Sequence, residues 1–160
     1  MNFNLRTSLN RFSLEKVRLN LPVVGLEIDL TQDDQDAAWE LCIEMLTRIV
    51  TQPLPAEAGD ELTALESVYS LFPTTREILR ARGRGTIQFS KVAIPVLNQV
   101  VRPFTAKWHR ESLAGAFDNE VKRREFREEL ATLQKDLRNY NRMLAEIAGV
   151  EDLTDLEPDT

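Results

Sequence analysis

The stretch FREELATLQKDLRNYNRMLAEI, residues 126–147, carries the strongest structural signal of this chain. Its apolar side chains follow one another at alternating steps of four and three residues, which places them on one face of an α-helix. The pattern predicts one unbroken helix over about residues 118–148, ended by Gly149 and buried along one seam against other helices. The seam residues are Phe126, Leu130, Leu133, Leu137, Tyr140, Leu144 and Ile147.

A capping-box pattern marks the start of an earlier helix. Thr31 and Asp34 have the spacing at which a threonine and an acidic side chain cap each other's backbone N–H groups. Further acids crowd the first turn, where the helix dipole favours them. We predict a helix over about residues 33–51 that stops before Pro53. Its apolar residues cover most of the circumference, so this helix is expected inside a bundle.

Two more helical segments are predicted, over residues 60–82 and 90–110. Each contains proline, which removes a backbone donor and disfavours helix in the residue before it, so we expect kinks or restarts. The second segment is apolar nearly all round, which is typical of a helix at the centre of a bundle. The prolines are Pro73, Pro95 and Pro103.

Residues 14–30 alternate instead of following the helical period. Apolar side chains stand at every second position over residues 17–21 and again over 26–30, with the break PVVG between them. This period predicts a small β-hairpin. A ribbon of two strands is only marginally stable in water by itself. The hairpin therefore either caps the bundle or docks another chain along its open edge.

The predicted fold is mainly α, a four- or five-helix bundle with a long C-terminal heptad helix and a small N-terminal β-hairpin. We expect one domain over residues 14–150, preceded by an N-terminal arm, residues 1–13, and followed by a frayed acidic tail, residues 151–160. A chain of 160 residues is long enough for one core, and 42% hydrophobic with 29% charged residues is typical of a globular protein.

The composition argues against several classes of function. No apolar run has the length of a membrane span and the N-terminal stretch lacks the core of a signal peptide, so we expect a cytoplasmic protein without a membrane partner. One cysteine, Cys42, and one histidine, His109, exclude a His/Cys zinc site within one chain. Phosphate-loop, GxSxG and Glu-x-x-His motifs do not occur. We expect no enzyme, catalytic residue, metal or cofactor; the competing enzyme hypothesis pairs His109 with a carboxylate.

Charge is divided along the chain, which has a net charge of −6. Residues 29–66 contain ten acids and one base, whereas residues 71–127 contain twelve bases and five acids. Such asymmetry bears on partners and self-association rather than on the fold. The basic residues of the second range could contact phosphate backbones, but the acidic total and the lack of interleaved aromatic residues argue against nucleic acid as a partner.

A polar pair interrupts the apolar segment 90–110. Asn98 and Arg102 are four residues apart and share a helix face, and a buried guanidinium requires an anion. Two alternatives follow. One is an internal salt bridge from Arg102 to Glu40 or Glu44. The other is a site for a small anionic or nucleotide-derived ligand, whose candidate residues are Arg76, Arg80, Asn98, Arg102, Lys107 and His109.

The segments AAWELCIEMLTRI, SVYSLFPTTREILR, VAIPVLNQVVRPFTAKWHR and FREELATLQKDLRNYNRMLAEIAGV resemble a family of uncharacterised bacterial helical proteins. The resemblance covers about residues 17–150. It implies a helical bundle and an association with multi-gene conflict or antiphage defence loci, and therefore favours a protein partner. It implies no catalytic activity and no site residue.

The function we expect is a non-catalytic interaction or assembly module, either self-associating or an accessory subunit of a bacterial multiprotein system. The alternative is a sensor that binds the anionic ligand near Arg102. An internal seam and an intermolecular seam need the same apolar stripe, so the heptad pattern alone leaves both open. The candidate interaction residues in the seam are Leu130, Leu133, Leu137, Tyr140 and Leu144.

Overall fold

A computed structural model of the chain describes residues 1–12 and 27–156. The predicted fold class is confirmed in these residues, which form a helical bundle with a small antiparallel ribbon. A π-helical segment spans Val96–Val101. The elements in chain order are β1 (Asn2–Asn4), α1 (Leu5–Arg11), β2 (Glu27–Asp29), α2 (Gln32–Leu46), α3 (Glu61–Tyr69), α4 (Leu71–Arg82), α5 (Ile87–Pro95), α6 (Arg102–Leu113) and α7 (Glu120–Ala148).

The heptad helix α7 forms one wall of the core. Its N-terminus is capped by Asn119, whose Oδ1 accepts a hydrogen bond from the Lys122 backbone N–H at 3.0 Å. Its C-terminus ends at Gly149, whose φ of 71° is left-handed and favours glycine. All seven seam side chains are between 0 and 6% exposed within the single chain, and α7 packs mainly against α2. The seam is therefore internal.

Asp34 joins the N-termini of two helices. The predicted capping box is confirmed, because the Thr31 N–H donates to Asp34 Oδ2 at 2.9 Å and the Asp34 N–H donates to Thr31 Oγ1 at 3.1 Å. The other carboxylate oxygen of Asp34 accepts a hydrogen bond from the backbone N–H of Phe89 in the first turn of α5, at 2.9 Å. Asp34 is fully buried. One carboxylate therefore satisfies otherwise unpaired donors of both α2 and α5.

The prolines shape the other helices differently from one another. The break predicted near Pro73 lies at Ser70, and Pro73 sits in the first turn of α4, where its missing N–H costs no helical hydrogen bond. Residues 87–113 stay helical throughout, because a π-helical segment continues the helix between Pro95 and Pro103. The Pro103 ring would collide with the carbonyl of Gln99 in a regular α-helix, which accounts for the wider π turns there.

The N-terminal residues belong to the fold instead of forming a separate arm. β1 pairs with β2 in antiparallel register, with Phe3 opposite Ile28, and both of these side chains are buried. The alternation predicted for residues 26–30 is confirmed over residues 27–30, where Ile28 and Leu30 are buried and Glu27 and Asp29 are exposed. The predicted partner strand at residues 17–21 lies outside the described residues. In the described ribbon the partner of β2 is residues 2–4.

The described part of the acidic tail, residues 151–156, packs against α7, which differs from the expected fraying. Arg142 Nη2 donates to both carboxylate oxygens of Asp155 at 2.8 and 2.9 Å. The buried Asn141 donates from Nδ2 to the Thr154 hydroxyl at 3.2 Å. The acidic sequence of the tail suggested fraying. The sequence alone does not show that Asn141 and Arg142 of α7 bind the tail.

Replacing Asp34 with alanine tests its double capping role. We expect Asp34→Ala to lower the free energy of unfolding by about 3 kcal/mol, because several hydrogen bonds to one buried carboxylate are lost together. The matched control is Asp60→Ala, which removes an exposed N-cap of α3 and is expected to cost about 1 kcal/mol. Urea denaturation measures both. Equal costs for the two variants would contradict the double role.

Two buried hydroxyl groups line one small cavity of about 10 Å³ next to the π-helical segment. Neither Thr75 Oγ1 nor the Tyr140 hydroxyl has a hydrogen-bond partner among the described residues. We expect Thr75→Val to change stability by less than about 0.5 kcal/mol, whereas Thr105→Val, which removes a buried hydroxyl bonded to Val101 O at 3.3 Å, costs about 1 kcal/mol. A cost for Thr75→Val as large as for Thr105→Val would show that its hydroxyl is bonded in solution.

Candidate functional site

Arg102 lies on the surface of the bundle. Its guanidinium donates from Nε and Nη2 to the side-chain oxygen Oδ1 of Asn98 at 3.1 and 3.0 Å, across one turn of helix. The guanidinium carbon stands 4.6 Å from the centroid of the Phe72 ring, a cation–π arrangement. The expectation of a buried Arg102 is wrong. An apolar helix suggests burial, but here Arg102 occupies the outward side of α6.

The two acids proposed as internal partners of Arg102 bind other arginines. Glu40 contacts Arg82, which also has Asp36 at 3.3 Å. Glu44 is paired with Arg48 in the i,i+4 arrangement. The salt bridge from Arg102 to Glu40 or Glu44 is therefore wrong, and Arg102 makes no ion pair with any described residue.

Aromatic rings continue the surface from Arg102. Phe72 lies 5.5 Å from Tyr69, centroid to centroid, across the break between α3 and α4. Tyr69 in turn meets the His109 ring edge-on at 5.1 Å. The Tyr69 side chain is 45% exposed. The break at Ser70 thus places side chains from α3, α4 and α6 in one contiguous row.

Arg76 and Arg80 extend this row along α4. They follow Phe72 at helical steps of four residues, so the three share one side of the helix. Both arginines line a surface depression of about 600 Å³ together with Glu77, and neither has an ion-pair partner in the described part of the chain. We call this surface the basic face and define it by Tyr69, Arg76, Arg80, Arg102 and His109.

Lys107, the remaining predicted ligand residue, lies apart from this face. Its Nζ is 3.0 Å from Glu125 and also contacts Glu129 on α7. These two carboxylates, Glu129 foremost, raise the pKa of Lys107. Trp108 Nε1 donates to the same Glu129 at 2.9 Å. The structure therefore places Lys107 in an ion-pair network between α6 and α7 and not beside Arg102.

The candidate interaction residues of the seam face inward. Leu130, Leu133, Leu137, Tyr140 and Leu144 all lie in the core of the single chain. Burial also raises the pKa of Tyr140. In the folded chain these side chains contact other helices of the same bundle and are not exposed on its surface.

A second surface, on α2, was not predicted. Trp39 and Ile43 are 38 and 41% exposed, although the apolar circumference of this helix predicted their burial. Asp36, Glu40 and Glu44 flank them, and each of these carboxylate side chains is still about two-fifths exposed. We call these five residues the acidic face. The spacing of these five residues is the sequence feature that could have revealed this surface, since acids and large apolar residues alternate along one helical stripe.

The Cys42 thiol is free and buried, and this burial raises its pKa. Among residues 1–12 and 27–156 no group of three or more metal-ligating side chains comes together. In the same ranges no helix is long and apolar enough to cross a membrane.

Comparisons with known proteins found no match, neither a protein-family model nor a curated protein nor a solved structure. The resemblance to bacterial helical proteins and to defence loci therefore stays a prediction.

The network around Lys107 gives the bundle an acid-sensitive component. Lys107 foremost, with Lys122, holds the pKa of Glu125 below its usual range. A carboxyl whose folded-state pKa is lowered stabilises the fold above its unfolded pKa, and this contribution is lost as the pH falls through the folded value. We therefore expect the free energy of unfolding of Glu125→Gln to fall less steeply than that of the unchanged chain as the pH drops below about 5. Urea denaturation at a series of pH values measures this. Glu128→Gln, an exposed carboxylate of the same helix, is the control, and an equal effect of both variants would contradict this assignment.

Proposed function

We propose that this chain is a non-catalytic assembly module that self-associates, with the basic face of one copy binding the acidic face of the next. The observation that carries the proposal is charge complementarity. Arg76, Arg80 and Arg102 have no carboxylate partner among the described residues, while α2 of the same chain exposes three carboxylates that share only two arginines.

Apolar and aromatic side chains supply the rest of the contact. The acidic face contains Trp39 and Ile43, and the basic face contains Tyr69. Leu113, one turn beyond His109 on α6, is 90% exposed and widens the apolar area beside the basic face. Tryptophan, tyrosine and arginine are the residues most often found at the energetic centre of an interface. Both faces therefore have the composition of docking surfaces.

Two different faces imply a head-to-tail interface. Such an interface closes into a ring or continues as a filament, in contrast to a twofold dimer that uses the same patch on both copies. Exposed charges are screened by salt, so association should weaken as the ionic strength rises. The buried seam has no part in this assembly.

A mixing experiment tests the head-to-tail arrangement. One double variant, Arg76→Glu with Arg80→Glu, disrupts the basic face. The other, Trp39→Lys with Ile43→Lys, disrupts the acidic face. All four positions are exposed. Each double variant alone is expected to be a monomer by light scattering. An equimolar mixture is expected to form a dimer and nothing larger, because one intact basic face then meets one intact acidic face.

The control for charge is the double variant Arg123→Glu with Lys135→Glu. It changes the net charge by the same amount as Arg76→Glu with Arg80→Glu, but at exposed positions of α7. This variant should assemble like the unchanged chain, and circular dichroism verifies that all variants are folded. A mixture that stays monomeric while the unchanged chain assembles would refute the head-to-tail interface. A control variant that fails to assemble would show that net charge alone governs association.

A second candidate function is recognition of a small anionic ligand at the basic face. The depression that contains Arg76 and Arg80 favours it, since two unpaired guanidinium groups four residues apart suit a phosphate group. Thermal shift with pyrophosphate and ATP, compared between the unchanged chain and Arg80→Ala, tests it. A shift that is absent from the unchanged chain, or that persists in Arg80→Ala, would contradict this function.

The cellular setting of this chain is proposed from its sequence alone. We keep as proposals a cytoplasmic location, an accessory role in a bacterial multiprotein system that includes defence, and a protein partner in preference to nucleic acid. We also keep the absence of catalytic residues and of a cofactor as a proposal. The acidic net charge of −6 supports the preference for protein over nucleic acid.

A further inference from the structure

A groove runs between the π-helical segment with α6 on one side and α7 on the other. Its volume is about 490 Å³, within the range of small-molecule sites. It lies away from the basic face, on the side of α6 that carries Lys107. Its lining residues are Gln99, Val100, Pro103, Phe104, Lys107, Glu129, Thr132, Leu133 and Asp136.

The π-helical segment forms one wall of this groove. Gln99 and Val100 belong to it, and Pro103 follows one turn later. Single π turns within α-helices occur frequently at functional sites, where the extra residue per turn presents side chains that a regular helix would turn away. Here the altered register brings an amide and an apolar side chain to the same wall.

The charges of the groove do not balance. Lys107 is already held by Glu125 and Glu129, so its positive charge is neutralised inside the network. Asp136, by contrast, makes no hydrogen bond or ion pair with any described residue, although it is partly buried in the groove wall. Burial raises the pKa of Asp136. The exposed Lys135, its neighbour in the chain, acts on this carboxylate electrostatically but does not line the groove, so the carboxylate can accept a cation from the groove side.

The remaining lining indicates which kind of group would fit the groove. Val100, Phe104 and Leu133 supply apolar contacts, and the Thr132 hydroxyl and the Gln99 amide add polar atoms along the walls. A cation with a short hydrocarbon chain fits this distribution, since its methylene groups would lie on the apolar residues while the charged end meets Asp136.

We propose that this groove binds an alkylammonium group, with the Asp136 carboxylate as its ionic partner and the apolar residues of α6 and α7 around its methylene groups. The site is separate from the basic and acidic faces, so it goes beyond self-association. The alkylammonium group belongs either to a free small amine or to a lysine side chain of a peptide.

Nuclear magnetic resonance titration of the full chain tests the site with three probes. n-Butylammonium represents the free amine, Nα-acetyl-lysine-N-methylamide represents the peptide, and butan-1-ol has the same hydrocarbon body without the charge. We expect saturable shifts of the Gln99, Thr132 and Asp136 amides with at least one of the charged probes. Binding of that probe should be about tenfold tighter than binding of the alcohol, because a charge-assisted contact is added.

Asp136→Asn should weaken binding of the charged probe by about tenfold and leave the alcohol unaffected. Glu128→Gln, on the exposed side of α7, is the matched control and should bind like the unchanged chain. Tighter binding of butylammonium than of the lysine derivative would assign the site to free amines, and the reverse order to peptides. No saturable shift with either charged probe, or an equal affinity for the alcohol, would overturn the proposal even if Asp136→Asn failed to fold.

Discussion

The bundle depends on one buried carboxylate. Asp34 closes the capping box of α2 with one oxygen and caps α5 with the other, through the Phe89 N–H at 2.9 Å. A buried charge is stable only where hydrogen bonds replace its lost hydration, and Asp34 obtains them from two helix N-termini, where the helix dipoles also favour a negative charge. The start of α2 and the start of α5 are therefore fixed relative to each other.

This joint also fixes the turn that precedes α5. The Thr31 hydroxyl donates to the carbonyl of Gly85 at 2.5 Å. A Cβ atom at Gly85 would stand 2.1 Å from a carboxylate oxygen of Asp33, so a larger residue in this turn would have to displace the Asp33 side chain. Arg82, at the end of α4, is then held by the acids of α2. The path from α4 to α5 is thereby set, and with it the side of the bundle on which Arg76, Arg80 and Arg102 face solvent.

Sequence patterns predicted the elements well wherever the information is local. The heptad spacing of α7, its end at Gly149 and the capping box at Thr31 all depend on residues within a few turns of one another. Burial was harder to predict, because periodicity shows which residues share a face and not what covers that face. Trp39 and Ile43 look like core residues by composition but lie outward, and Arg102 looks buried but reaches the surface. The pairing of β2 with residues 2–4 is a long-range contact that alternation cannot identify.

The two charged faces and the buried seam together lead to one account of the molecule, in which the seam builds the fold and the faces join copies of it. Light scattering of the unchanged chain over a concentration series, at low and at high salt, tests this account most directly. The account predicts a mass above that of one chain at low salt, which falls towards one chain as salt is added. The mass of a single chain at every concentration in low salt would contradict it.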